Sequence, residues 1–156
     1  MTQSTIDRAI KATKDEEYLQ GLTLFLDVYG TDSAPPITSP KDASGLSYFA
    51  VCLAMVHRKY REAVELCKRA IDLEFYNGDH YANLGRVYLA GNNRKKALES
   101  VEAGLRVASE NAQLRALRKE MGVRARPTVP FLDRSHPINV SLGQVRHARK
   151  APAKKK

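Results

Sequence analysis

Apolar residues recur at helical spacing along most of the chain. Tyr18, Leu19, Leu22, Phe25, Leu26 and Tyr29 fall at i, i+1, i+4, i+7, i+8 and i+11, the stripe of an amphipathic helix with a wide buried face. Gly30 follows and predicts its end, because the left-handed residue after a helix is most readily glycine. Ahead of it, Ile6, Ala9, Ile10 and Thr13 make a shorter stripe, opened by Ser4 or Thr5 with an acid close behind. Lys14-Asp15-Glu16 is either a turn or a continuation of that helix. Pro35, Pro36 and Pro40 among Ser, Thr and Asp predict a surface connection, since proline cannot donate a backbone hydrogen bond. Helices are then expected over 45–56, capped by Asp42 or Ser44, and over 60–73. Asn77-Gly78 reads as a turn and Asp79 as the next cap, with helices over 80–90 and 94–108. Asn111 can cap a last helix in which Leu114, Leu117 and Met121 share one side, and Gly122 stops it.

Two of these helical pairs repeat. Sliding the chain by about 34 residues puts Ala63 on Ala97, Ala70 on Gly104, Val51 on Gly85 and Ala50 on Leu84. A period of that length marks stacked supersecondary units. Small residues at fixed points let two antiparallel helices approach closely. Leu66, Cys67, Ile71, Leu98, Val101 and Leu105 supply the apolar filling. The expected architecture is all-α, a pile of helical hairpins with turns at 57–59 and 91–93.

The same residues resemble the tetratricopeptide repeat (TPR). In the second copy Tyr81, Leu84, Gly85, Tyr88 and Ala97 match the aromatic, Leu-Gly, Tyr and Ala of that family's pattern, and Gly104 replaces its later Ala. In the first copy, 60–63 and 68–73 look like the second helix of a repeat. Ser47, Val51 and Ala54 depart from the large aromatic, Gly and Tyr of the first, and neither copy ends in the usual Pro. The resemblance covers roughly 66 of 156 residues. It implies a TPR-like α-solenoid of stacked antiparallel hairpins. Residues 1–30 would be an N-terminal helical cap or degenerate repeat, 31–43 a Pro-rich connection, 44–77 and 78–111 the repeats, and 112–122 a capping helix. Residues 123–156 would be an extended basic tail with a short amphipathic helix.

Charge separates the tail from the body. Residues 1–114 hold 14 Lys/Arg against 15 Asp/Glu, a net of −1, whereas 115–156 hold 12 against 2, a net of +10. Any affinity for acidic partners therefore belongs to the C-terminal end. No window offers the ~18 apolar residues of a membrane span. The polar, acid-containing N-terminus resembles neither a signal nor a transit peptide, so the cytoplasm is the expected address. Cys52 and Cys67 read as buried free thiols.

No catalytic set is evident. His57, His80, His136 and His147 lack partners at metal-ligand spacing, and neither a glycine-rich phosphate loop nor a nucleophile elbow is present. No enzyme activity, metal or cofactor is expected. The resemblance instead implies a concave face lined by the first helix of each hairpin. Its matching positions are Tyr48, Cys52, Met55 and Val56 in the first copy and Asp79, Ala82, Asn83, Arg86 and Leu89 in the second. Tyr48 and Met55 either line this groove or pack beneath the N-terminal helices. A peptide with apolar character fits better than the chaperone carboxylate bound by some family members, for which only Asn83 and Arg86 are suggestive.

In the tail, Pro137 sits where a helix would begin, with Ile138, Leu142 and Val145 on one face. Phe131, Leu132 and those three residues, with Arg146 and Arg149, would dock back on the repeats, recruit a second protein or contact phosphates. The leading expectation is a protein–protein adaptor whose partner is another polypeptide, its own tail included. The alternatives are a small chaperone of secreted proteins, similar to those of type III secretion, and a nucleic-acid- or ribosome-associated factor acting through the tail.

Overall fold

The computed structural model describes residues 2–30, 40–122, 137, 138 and 140–142. Residues 1–121 form one compact unit and 122–156 a second. The first unit is built of α1 (Thr2–Lys14), α2 (Tyr18–Tyr29), α3 (Pro40–His57), α4 (Tyr60–Leu73), α5 (Gly78–Ala90), α6 (Arg94–Val107) and α7 (Ala112–Met121). No strand occurs among the described residues, and the fold is all-α.

Several helices start earlier than their polar residues suggested. α1 begins at Thr2, which places Ser4 and Thr5 inside the helix, where Gln3 Nε2 reaches Asp7 Oδ1 at i,i+4 (3.4 Å). α3 begins at Pro40, ahead of Asp42 and Ser44. Proline suits a first helical position because its missing N–H would have had no partner there. At α5 the cap is Asn77 rather than Asp79. The Asn77 Oδ1 accepts from the Asp79 N–H at 3.1 Å, which leaves the Asp79 carboxylate free for other bonds.

The hairpin turns repeat a backbone signature. Glu16, Arg58 and Asn92 each take positive φ (64°, 56° and 57°), one residue before the cap of α2, α4 and α6. Arg58 and Asn92 are 34 positions apart, so the period seen in the sequence is also a period of conformation.

Packing follows the same step. α1 lies against α2, α3 against α4 and α5 against α6, and the odd helices α1, α3, α5 and α7 also lie side by side. The even helices do not approach one another. The odd helices run parallel and in register. Ile6 covers Gly45 while Thr13 Oγ1 meets Cys52 Sγ at 3.1 Å, so the contact advances equally along α1 and α3. Asn111 covers Gly78 while Leu117 covers Gly85, which orders α5 and α7 in the same way.

The core divides into a larger cluster, centred on Phe25, Leu46, Val51 and Leu66, and a smaller one of Ala82, Val101, Leu114, Leu117 and Met121. In the first, the rings of Phe25 and Tyr29 stack and Phe49 meets both at 59–65°, with all three centroids 5.6–5.8 Å apart. α3 is enclosed almost all round from Ala43 to Ala54, because α1, α2, α4 and α5 all pack on it. Leu98 departs from its expected place in the filling. It is 40% exposed, on the side of α6 that no helix covers. In the second unit residues 137, 138 and 140–142 are helical and Ile138, Val140 and Leu142 are exposed.

Candidate functional site

Four parallel helices make a wall to which α1, α3, α5 and α7 each contribute polar side chains. At its centre the Tyr48 hydroxyl donates to Asp79 Oδ2 (2.9 Å) and accepts from Gln113 Nε2 (2.8 Å). Asn111 Nδ2 donates to the other Asp79 oxygen (2.8 Å). The Lys14 ammonium stands 3.8 Å from Asp79 Oδ2 and 5.3 Å from the Tyr48 ring centroid. Lys14 of α1, Tyr48 of α3 and Asn111, the cap of α7, thus converge on the one carboxylate of α5. Burial, the largest cause, and the Asp79 charge both push the Tyr48 hydroxyl well above the usual tyrosine range. It therefore stays neutral and keeps its proton for Asp79.

A second network lies deeper, between α3 and α5. His80 is fully buried, with Nε2 3.1 Å from Glu74 Oε2 and Nδ1 3.0 Å from Ser47 Oγ. A carboxylate only accepts, so His80 donates from Nε2, and the one Ser47 hydroxyl proton lies between His80 Nδ1 and the Ser44 carbonyl oxygen, 3.2 Å away. Asn83 Nδ2 donates to the same Ser47 oxygen (3.1 Å). This order of serine, histidine and carboxylate has the appearance of a catalytic relay. Ser47 is enclosed and its oxygen also takes an Asn83 proton, so the set ties α3 to the start of α5. Burial lowers the His80 pKa, and Glu74 opposes that shift.

Among the residues expected to line a groove, Tyr48, Cys52, Ala82 and Asn83 are buried. Asp79, Val56, Arg86 and Leu89 are half-buried, and Met55 is 37% exposed. The Tyr48 ring lies beneath Lys14 of α1. Cys52 is held against Thr13, and burial raises its thiol pKa to about 11. Burial, the largest cause, and the nearby Glu16 charge raise the pKa of Tyr18 at the start of α2. Asn83 Oδ1 and Gln113 Oε1 are buried without a donor among the described residues. Of the expected tail contacts, Ile138 and Leu142 are exposed, while Phe131, Leu132, Val145, Arg146 and Arg149 lie outside the described residues.

Sequence reading missed Lys14, Asn111 and Gln113 as members of this wall. One signal was available: Asn77 and Asn111 are 34 positions apart and both cap odd helices, so the period continues into α7. Among the described residues no group of His, Cys, Asp and Glu side chains is arranged to hold a metal ion. No helix there is long and apolar enough to cross a membrane. Compared with known proteins, the chain matches no family model and no curated sequence.

Proposed function

We propose that the chain is a TPR-like α-solenoid serving as a non-catalytic adaptor, which binds a partner polypeptide along the wall of odd helices. The observation that carries this reading is the parallel, in-register array of α1, α3, α5 and α7 on a period near 34 residues. An array of that kind presents side chains at regular steps along an extended partner, with the backs of the hairpins turned away.

The accessible part of the wall is the half toward the helix C-termini. The half toward the N-termini is filled by the Tyr48–Asp79 network. Met55 and Leu89 offer apolar contact, and Arg86 and Tyr18 offer hydrogen bonds that set direction. The cationic residues of 123–156 supply a second contact. Two free, buried thiols suit work in a reducing cytoplasm.

Co-precipitation with full-length protein carrying Met55→Glu and Arg86→Ala tests the wall. The expected outcome is loss of the partners captured by the wild type, with an unchanged helical circular dichroism spectrum. Undiminished capture by a folded double variant overturns the reading. Repeating the capture with a chain ending at Gly122 separates partners of the wall from partners of the cationic segment.

A further inference from the structure

The ends of the hairpins carry a charge pattern that the wall does not use. The turns joining α3 to α4 and α5 to α6 lie at the same end of the unit, and Gly91 of the second packs on the Tyr60 ring beside the first. A Cβ on Gly91 would meet Tyr60 Cγ at 3.5 Å, so the turns adjoin. Residues 57–62 and 91–96 hold six cations, Arg58, Lys59, Arg61, Arg94, Lys95 and Lys96, against the single acid Glu62. The remainder of the body compensates them, since residues 1–114 have a net charge of −1. The neighbouring turn of the first hairpin is acidic, with Asp15, Glu16 and Glu17 exposed, so the basic edge is confined to the two later hairpins.

Three of the cations have no structural task. Arg58, Arg61 and Lys95 are exposed and form no ion pair among the described residues. Lys59 is 3.4 Å from Glu62, Lys96 lies over the Tyr88 ring, and Arg94 donates to the Met121 carbonyl. Backbone need does not account for Arg58 either. It occupies the left-handed position that Asn92 fills in the next turn, and asparagine or glycine is accommodated there at lower cost. The Arg94–Met121 bond also shows that the chain leaves the first unit at this edge. The residues that follow, 123–156, contain nine Lys/Arg and one Asp.

We propose that this edge binds the phosphate backbone of a double-stranded nucleic acid. Packed helices are spaced by roughly 8–10 Å, so successive turns step along a strand by about three phosphates at ~3.4 Å of axial rise each. Single strands are disfavoured because they are held on exposed aromatic platforms. The one tyrosine in these turns, Tyr60, is covered by Gly91. An anionic bilayer is disfavoured because surface binding to lipid needs apolar tips among the cations. The exposed Phe75 and Tyr76 lie instead in the turn from α4 to α5, at the opposite end of the hairpins. With contacts to phosphate alone, binding is independent of base sequence.

The test is a salt titration of full-length protein with labelled short DNA and RNA duplexes, followed by fluorescence anisotropy. It compares the wild type with a triple variant, Arg58→Gly, Arg61→Gln and Lys95→Gln. A charge-matched control carries Arg8→Gln, Lys11→Gln and Arg69→Gln. Removing three phosphate contacts should weaken duplex binding and make the slope of log K against log salt shallower by about 2.7, at ~0.9 per contact. The control should keep a slope within about one unit of the wild type. Absence of duplex binding at low salt overturns the proposal. So does an equal slope for wild type and triple variant, which would leave the C-terminal segment as the sole contact. Preference for phosphatidylserine vesicles over duplexes, if sensitive to the triple variant, also overturns it. None of the substitutions touches Met55 or Arg86, so failure here is distinct from failure of the adaptor reading.

Discussion

At Gly104 the backbone of α6 runs against two neighbours at once. A Cβ there would stand 2.6 Å from Tyr81 Cβ on α5 and 2.8 Å from Leu114 Cδ1 on α7. The Leu114 methyl can rotate away, but Tyr81 Cβ moves only with its helix. Alanine would gain about 1 kcal/mol of helix propensity, whereas overpacking costs about 1–3 kcal/mol. Because the helices themselves must part, strain should win, and Gly104→Ala should lower the thermal midpoint by several degrees. An unchanged or higher midpoint by circular dichroism would show that the packing has slack. His80 carries a different expectation, one that depends on pH. Its pKa is lowered in the fold by burial, against an unfolded value of about 6.5. The unfolded chain therefore binds the proton more readily. The stabilisation is complete above about pH 6.5 and is lost as pH falls through the folded value. Between pH 7.5 and 5.5 the wild type should lose more of its urea midpoint than His80→Gln, and parallel losses would remove His80 as the cause.

Among the elements, α5 is the one on which most of the wall depends, and its start is set by Asn77. The Asn77 side chain accepts from the Asp79 N–H and donates to Glu74 Oε2 at 3.0 Å. Its loss would disturb both the cap and the carboxylate that holds His80. Asn77→Ala should cost about 1 kcal/mol, the usual size of a lost cap, measured as a shift of urea midpoint at constant slope. A change below ~0.3 kcal/mol would mean that packing alone fixes where α5 begins. Most of the helices were legible in the sequence because they carry an apolar stripe and a breaker such as Gly30 or Asn77-Gly78, whereas α3 is apolar nearly all round. Cap identity was harder to read, since Asn77 and Asp79 are both good caps two positions apart, and only the backbone decides between them. The wall's polar network was beyond local reading. Tyr48 and Asp79 are 31 positions apart and Tyr48 and Gln113 are 65 apart, so their meeting depends on how hairpins stack. Burial of Tyr48 and Cys52 has the same origin, because nothing in the α3 sequence tells how closely α1 will cover it.

For the whole molecule, stacking makes each hairpin's stability depend on its neighbour. α7 contributes Leu114, Leu117 and Met121 to the smaller core cluster, against Ala82, Ala97 and Val101 of the preceding hairpin. Burying three such side chains contributes about 1.5–3 kcal/mol each. The sum of ~5–9 kcal/mol is comparable with the whole folding free energy of a domain, ~5–15 kcal/mol. α7 is also where Asn111 and Gln113 complete the polar wall. A chain ending at Ser109 should therefore lose the cooperative melt of the second hairpin, whereas one ending at Gly122 should keep its helical signal and a single transition. The two truncations differ by one short helix, and so they separate dependence on neighbours from dependence on length. If the shorter chain melts as sharply and at the same temperature as the longer, each hairpin folds on its own. The wall would then be four independent helices rather than one surface with a fixed spacing.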